Sequence, residues 1–220
     1  MSFLDTLIDK PAIVLDIGRA YTKCGFAGET GPHSIVPTRL VPNLITSNLR
    51  LTEPVNIYDY DKLKKIGDDA SDESILRELL VDFLYRIYYK ILNVNSRERK
   101  VVVIESLLTS DTFRRVLNDV LVKNFQAVSV TFITSHMAAL FTLGSTVGLV
   151  LDCGYTDCQL VPIAESYPMI GLCNFLNLGS KRVHEEIRHL LVEYAEVTLA
   201  NGDRVKLKSV QPPVDLDEDM

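Results

Sequence analysis

Residues 12–32 read AIVLDIGRAYTKCGFAGETGP, two apolar runs on either side of a short glycine-containing segment. We interpret it as two strands joined by a short turn at 18–20, which is the pattern of a hairpin. Its central phrase VLDIG, at 14–18, returns as VLDCG at 150–154, again between two strand-like runs. The sequence therefore predicts two similar hairpins, each with an aspartate and a glycine at its turn.

The two turns suit an anion-binding site. Gly18 and Gly154 would let the backbone approach an anion, and successive N–H groups at such a turn form a concave anion site. The carboxylates of Asp16 and Asp152 would repel phosphate unless a cation lay between, and a hydrated Mg2+ held through one or two carboxylates meets that need. Lys23 could add positive charge. An aspartate and a glycine also end many ordinary strands, and this alternative stays open.

The composition bounds the class of protein. The chain has 220 residues, 47% of them hydrophobic, a formal net charge of -6 and a pI near 5.3. This acidic balance gives no electrostatic reason to expect nucleic acid or an anionic membrane surface as a partner. No apolar run reaches the roughly 20 residues of a membrane span, and the N-terminus is unlike a signal peptide. We therefore expect a cytoplasmic protein whose four cysteines are reduced thiols.

The order of elements predicts an α/β architecture that restarts near residue 147. Predicted strands cover 12–17, 21–27, 34–37, 100–104, 128–133, 147–151, 158–163 and 169–178. Predicted helices cover 71–91, 111–124, 135–143 and 180–196. We expect two lobes, 1–142 and 143–220, with a small loop-rich segment at 37–71 and an acidic, non-periodic tail at 197–220.

Two of the predicted helices are amphipathic. The first has apolar residues at spacings of three and four from 75 to 91, and Ser71 is its predicted N-cap. Three tyrosines on this helix indicate either packing or an aromatic surface for a partner: Tyr85, Tyr88 and Tyr89. The last helix has five residues that predict its buried face: Val183, Ile187, Leu190, Leu191 and Tyr194.

Two other patterns invite a metal-site interpretation. His184 and His189 lie five positions apart, so on a helix they point about 140° away from each other and cannot share a zinc ion. Cys153 and Cys158 flank the second turn without a partner histidine. We expect a metal site at neither place.

These motifs together resemble the actin family. LDIGRAYTKCGFAGETGP, at 15–32, resembles the first phosphate-binding loop of actin and the actin-related proteins, and VLDCGYTDCQLVPI, at 150–163, resembles the second. KVVVIESLL, at 100–108, and GLCNFLNLGSKRVHEEIRHLL, at 171–191, are similar to further actin segments. The resemblance implies an actin-like (ribonuclease H-like) fold whose N-terminal half is largely complete and whose C-terminal half is partial.

The resemblance also implies a cofactor, ATP or ADP with Mg2+. It places nine residues in the phosphate loops: Asp16, Gly18, Arg19, Ala20, Lys23, Asp152, Gly154, Tyr155 and Thr156. Asp16 and Asp152 would hold the Mg2+ through water.

Four of these nine residues depart from the actin pattern. Arg19 and Ala20 replace a serine and a glycine of the first loop, so an arginine stands where a small hydroxyl would face the terminal phosphate. Tyr155 and Thr156 replace an aspartate and a glycine of the second loop. The second change removes a carboxylate from the metal side of the site.

Two further departures concern hydrolysis. The glutamine that helps to orient the attacking water in actin aligns with Ser135, and the nearby histidine aligns with Gln159. Hydrolysis needs a positioned water and stabilised charge, so we expect weak or absent ATPase activity and no catalytic residues. Nucleotide binding as a structural wedge stays open, as does the alternative of an ATP-hydrolysing protein of the actin fold.

The segment after the first hairpin bears on the biological role. Residues 40–72 show no likeness to the actin loop that docks into the next filament subunit. Together with the phrases TKCGFAGETGP and LDCGY, this resembles the actin-related proteins at the pointed end of dynactin. The implied role is to cap the dynactin filament, in contact with its actin-like subunit and the other pointed-end subunits, for dynein-based transport. The alternative is an actin-related protein of a nuclear chromatin-remodelling complex.

Overall fold

The computed structural model of the chain describes residues 10–41, 53–60, 72–198 and 202–209. In chain order the strands are β1 (Ile13–Ile17), β2 (Tyr21–Phe26), β3 (Ser34–Pro37), β4 (Arg39–Leu40), β5 (Val55–Asn56), β6 (Lys100–Glu105), β7 (Ser129–Thr134), β8 (Gly148–Cys153), β9 (Cys158–Ala164), β10 (Tyr167–Pro168), β11 (Asn174–Leu176), β12 (Glu196–Thr198) and β13 (Arg204–Lys206). The helices are α1 (Asp72–Tyr85), α2 (Asp111–Asp119), α3 (Ser135–Thr142) and α4 (Ser180–Tyr194).

The first sheet has five strands in the order β3-β2-β1-β6-β7. β1 and β2 form the predicted antiparallel hairpin, whereas β1, β6 and β7 run parallel. Parallel strands need crossover connections, and the helices between β1 and β7 supply them. β6 lies between β1 and β7, and its Val101 and Val103 are buried, so the strand predicted from its continuous apolar run is confirmed.

The main hydrophobic core lies between this sheet and α1. Five side chains of α1 are fully buried: Leu76, Leu79, Leu80, Phe83 and Leu84. The predicted helix 71–91 is confirmed from Asp72, with Ser71 outside the described residues, but its last turns are π-helical from Arg86–Ile91. The predicted helix 111–124 likewise ends in a π-helical segment, Val120–Asn124. In both π-helical segments the backbone hydrogen bonds join residues five positions apart, which widens the helix. One example is the bond from Leu92 N–H to the carbonyl of Ile87, at 2.9 Å.

The second sheet is antiparallel and contains β8, β9, β10 and β11. β8 and β9 form the second predicted hairpin. Val161 and Ile163 of β9 are buried against Leu140 of α3, which makes a second, smaller core. The α/β class and both hairpins are therefore confirmed, whereas the lobe boundary at residue 142 stays a prediction.

Three predicted segments need correction. Residues 169–178 are not continuously extended, because a 3-10 turn at Ile170–Leu172 precedes the short strand β11. The segment 197–220 is not wholly irregular, since β12 and β13 pair antiparallel, and its end from residue 210 lies outside the described residues. In the loop-rich segment 37–71, β4 pairs with β5, and Leu40 and Ile57 are fully buried.

The prediction that one face of the last helix is buried is wrong. All five residues of that face are exposed in α4, including Leu190 at 51% and Tyr194 at 67%. An apolar stripe at helical spacing requires a partner surface, and the described part of the chain does not cover this one. Within the described ranges, no helix combines the length and apolar character needed to cross a bilayer.

Candidate functional site

The two glycine turns line one cleft of about 1100 Å3 between the two sheets. The turn after β1 forms one side, and the turn after β8 forms the other. The cleft brings together every residue that the sequence proposed for the site: Asp16, Gly18, Arg19, Ala20, Lys23, Asp152, Gly154, Tyr155 and Thr156, together with Ser135 and Gln159.

The first turn is closed tightly by its glycine. Gly18 N–H donates to the carbonyl oxygen of Tyr21 at 3.1 Å, and a Cβ at position 18 would lie 2.7 Å from that oxygen. Asp16 and Lys23 are cross-strand partners in the hairpin, and Lys23 Nζ lies 2.9 Å from Asp16 Oδ2. Both side chains are partly exposed, so this cation and this carboxylate can each turn toward a ligand in the cleft.

Arg19 packs on an aromatic pair instead of standing free. Its guanidinium lies 4.9 Å from the centre of the Tyr58 ring, and that ring stacks on Phe113 with centroids 4.6 Å apart. An arginine over an aromatic face is attracted by the ring quadrupole. The charge that replaces actin's small hydroxyl is therefore held against one wall of the cleft.

Two hydrogen bonds fix the backbone of the same turn. The Tyr58 hydroxyl donates to the carbonyl of Ile17 at 2.6 Å, and Asn56 Nδ2 donates to the carbonyl of Arg19 at 2.6 Å. Burial raises the pKa of Tyr58, which keeps the hydroxyl protonated and able to donate. These contacts were missed from the sequence because residues 53–60 belong to a segment without periodicity.

The second turn is joined to α3 through Ser135. Gly154 N–H donates to the carbonyl of Asp157 at 2.9 Å and closes the turn. Ser135, the first residue of α3, donates from Oγ to Asp152 Oδ2 at 3.2 Å. The serine thus contacts the loop carboxylate directly, so its hydroxyl proton is already used.

Gln159 is similarly occupied. Its Nε2 donates to Ser106 Oγ at 2.7 Å and to Asp157 Oδ2 at 2.6 Å, and the residue is only 4% exposed. Both amide protons are therefore used within the protein. Asp157 also accepts from Thr156 Oγ1 at 2.7 Å, and it is a cleft carboxylate that the sequence interpretation missed. Its position in the same loop, five residues after Asp152, was the available signal.

His136 lies buried beside this network. Its Nδ1 is 3.3 Å from Ser135 Oγ, and its Nε2 has no hydrogen-bond partner in the described part of the chain. Burial lowers the pKa of His136, opposed by the nearby Asp152 carboxylate, so the ring is neutral at physiological pH.

The donor set fits a magnesium–phosphate ligand. Asp16 and Asp152 supply oxygens of the kind that Mg2+ prefers, Lys23 supplies a cation, and residues of both turns line the cleft. The described ranges contain no group of three or more His, Cys, Asp or Glu side chains that could hold a metal alone. A divalent cation would therefore share its coordination with the anion's own oxygens and would neutralise their charge.

Comparison with known protein families gives a match to the actin family over residues 8–215. The chain belongs to the actin family. The predicted family and the actin-like fold are thereby confirmed.

Three individual relatives are each less than 30% identical to the chain. The chain is 29% identical to actin-related protein 10 of Dictyostelium discoideum over 207 residues, which are 88% of this chain and 42% of that protein. It is 25% identical to actin-like protein 7A of Bos taurus over 72% of this chain and 38% of that protein. It is 22% identical to actin-related protein 4 of Candida albicans over 90% of this chain and 42% of that protein. The chain thus spans less than half the length of these relatives.

The tyrosines of the first helix divide between the two interpretations. Tyr88 is fully buried and stacks on Phe125 with centroids 5.1 Å apart, so packing is confirmed for this residue. Tyr85 and Tyr89 are partly exposed and lie against each other with centroids 5.0 Å apart. A partner surface at these two rings stays a prediction.

Proposed function

We propose that the chain is a non-catalytic structural subunit of dynactin that caps the pointed end of its actin-like filament. It would contact the actin-like filament subunit and the other pointed-end subunits, in the cytoplasm and on the cytoskeleton. Membership of the actin family and similarity to an actin-related protein 10 support this role. The phrases TKCGFAGETGP and LDCGY, which resemble the pointed-end actin-related proteins of dynactin, support it further.

The proposed lack of catalysis rests on one observation, the hydrogen bonding of Ser135 and Gln159. These residues align with the two actin residues that lie near the attacking water. Both donate their protons to other protein atoms. The Ser135 hydroxyl is bonded to Asp152 and the Gln159 amide nitrogen to Ser106 and Asp157, so neither side chain has a proton left for a water, and only the Gln159 Oε1 acceptor lacks a partner among the described residues. Because hydrolysis depends on that orientation, we infer that bound nucleotide would not turn over.

The groups predicted to bind Mg2+ and phosphate are nevertheless retained. Asp16, Lys23 and Asp152 line the cleft together with both glycine turns. We infer that ATP or ADP with Mg2+ acts as a structural wedge, held by the turn N–H groups and Lys23. The nucleotide would stabilise the arrangement of the two sheets without entering a reaction cycle, as a ligand that binds only the folded state does.

The capping role rests on the segment after the first hairpin. Residues 40–72 do not resemble the actin loop that inserts into the next subunit. A subunit without that loop can bind the filament on one side only and would end it. Most of this segment, 42–52 and 61–71, lies outside the described residues, so the argument depends on sequence.

Phosphate release from ATP tests the catalytic half of the proposal. We expect the purified protein to release phosphate no faster than a preparation carrying Asp152→Ala. The double substitution Ser135→Gln with Gln159→His supplies the two actin side chains and should raise the rate above that background. Turnover by the unmodified chain that Asp152→Ala abolishes would instead favour the ATP-hydrolysing alternative.

Co-purification tests the structural half. The tagged protein should retrieve the actin-like filament subunit of dynactin together with its pointed-end subunits. Replacing residues 42–52 by the actin docking loop leaves the buried Leu40 and Ile57 in place and should allow a further subunit to add. Retrieval of neither partner, or of chromatin-remodelling factors in their place, would contradict the dynactin assignment.

A further inference from the structure

Two cysteine thiols face each other at the base of the second turn. Cys153 ends β8 and Cys158 begins β9, and the two are direct cross-strand partners in the hairpin. Their Sγ atoms lie 3.0 Å apart, and both are free thiols. The four residues between them form the loop that carries Gly154 and Asp157 into the cleft.

The backbone already has the spacing that a disulfide needs. Directly opposed residues on antiparallel strands have Cα atoms about 4.5–5.5 Å apart. Disulfides are found at Cα separations of about 4.4–6.8 Å. Cys153 and Cys158 therefore need only small side-chain rotations, with no movement of β8 or β9, to bring their sulfurs to bonding distance.

The surroundings of the pair argue against metal binding and leave one of the two thiols open to solvent. Cys153 is exposed and lines the cleft, whereas Cys158 is half-buried beside it. A soft metal held by two thiolates would need further ligands, and the described ranges hold no cluster of three. The remaining cysteines are not paired in this way: Cys24 is buried, and the Cys173 thiol donates to the carbonyl of Met169 at 3.5 Å.

We propose that Cys153 and Cys158 form a reversible disulfide in response to hydroperoxides, and that this bond locks the second turn of the cleft. The Cys153 sulfur attacks the peroxide oxygen and breaks the O–O bond, and the thiol proton passes to the departing oxygen, so the products are a sulfenic acid and, for hydrogen peroxide, one water. The Cys158 sulfur then attacks the Cys153 sulfur and releases the second water. In total, two thiols and one hydrogen peroxide give one disulfide and two waters.

The order of the two steps follows from the positions of the two sulfurs. Cys153 is exposed and lines the cleft, whereas Cys158 is half-buried at the start of β9. The exposed thiol therefore meets the oxidant first, and Cys158 acts as the resolving thiol. Because the second step is intramolecular, it should be faster than the reaction of the Cys153 sulfenic acid with an external thiol.

Locking the turn has a consequence that rests on the proposed nucleotide site. The disulfide would tie Asp152 and Gly154 to the start of β9. A turn that cannot adjust its N–H groups would change its retention of a phosphate ligand. The disulfide itself does not depend on that ligand.

Peptide mapping after graded hydrogen peroxide tests the proposal. The reduced full chain is oxidised, its free thiols are blocked with N-ethylmaleimide under denaturing conditions, and the digest is analysed by mass spectrometry. We expect a linked peptide containing Cys153 and Cys158 that dithiothreitol reverses. These two thiols should be lost at least about tenfold faster than Cys24 and Cys173. Cys158→Ser should abolish the link and leave a sulfenic acid on Cys153 that dimedone traps, whereas Cys173→Ser should behave like the unmodified chain.

Links that involve Cys24 or Cys173, links between chains, or no link at all would overturn the oxidation site. A second readout, adenine nucleotide retained by the reduced and oxidised protein, separates this inference from the proposed function. Equal retention in both states would overturn the locking of the turn. Absence of nucleotide in both states would contradict the nucleotide wedge instead, and the peptide map would still report on the disulfide.

Discussion

Lys23 and Asp16 face each other across the first hairpin, with Nζ 2.9 Å from Oδ2. They are cross-strand partners in the β1–β2 register, so the backbone fixes their closeness. The pair carries opposite charges into a cleft that a second aspartate, Asp152, enters from the other side. A phosphate bound with a divalent cation could replace this ion pair. The cation would bind the carboxylates, and the phosphate would accept a hydrogen bond from the lysine.

Substitution of that lysine should weaken nucleotide binding. Lys23→Ala removes a charged donor whose hydrogen bond to phosphate is worth about 1.5–3 kcal/mol, which is roughly tenfold to a hundredfold in affinity. Titration calorimetry with ADP and Mg2+ measures the change. Lys90→Ala is the matched control, since Lys90 is exposed and does not line the cleft, and its affinity should equal that of the unmodified chain. Equal affinities for both variants would remove Lys23 from the site.

Removal of the Tyr58 hydroxyl should destabilise the first turn. Tyr58→Phe keeps the stack on Phe113 but leaves the carbonyl of Ile17 without its donor, at a cost of about 1–3 kcal/mol in the free energy of unfolding. Urea denaturation measures this cost. Tyr21→Phe, at a tyrosine 54% exposed, should change stability by less than about 0.5 kcal/mol. A Tyr58→Phe protein as stable as the control would show that this contact does not hold the turn.

Leucines on the two amphipathic helices should behave differently. Leu76 of α1 is fully buried, so Leu76→Ala should lower the free energy of unfolding by about 2–5 kcal/mol. Leu190 of α4 is 51% exposed, and Leu190→Ala should cost less than about 0.5 kcal/mol. The comparison uses the same chemical change on two helices. A large loss at Leu190 would mean that the α4 face is buried after all.

Acidification should destabilise the protein through His136. Burial lowers the pKa of the folded-state ring below its ordinary value of 6.5, so the unfolded chain binds a proton that the folded chain does not. This contribution to stability is complete above about pH 6.5 and is lost as the pH falls from there toward the lower folded-state pKa. Urea denaturation from pH 7.5 to 5.5 should show the decline. His136→Gln should flatten the curve in this window, whereas His189→Gln, at an exposed ring, should not.

Local sequence pattern predicted the parts of the fold that depend on neighbouring residues. The repeated phrase around Asp16 and Asp152 predicted both hairpins, since alternation and turn residues act within a few positions. The contacts of Tyr58 and Asn56 with the first turn span 41 and 37 residues, and no local pattern reports a pairing at that distance. An apolar stripe predicted burial of α4, but it carries no information on which surface would cover the helix.

The residues predicted for the site line one cleft, but the contacts between them were not predicted. The aspartates, glycines and lysine of the cleft follow from the two motifs. The sequence did not indicate that Ser135 would bond to Asp152, because that contact depends on how α3 packs against the second sheet. Asp157 was not predicted, because the actin pattern carries the second acid of this loop at the position of Tyr155.

We propose that the cleft binds ATP and does not hydrolyse it. Recovery of the bound nucleotide from the purified protein tests both parts at once. The purified chain is incubated with ATP and Mg2+, freed of unbound nucleotide, and denatured, and the released nucleotide is separated by chromatography. We predict close to one adenine nucleotide per chain, recovered as unhydrolysed ATP after hours of incubation, and its loss in Asp152→Ala. Recovery of no nucleotide, or of ADP produced at a rate that Asp152→Ala abolishes, would contradict the account.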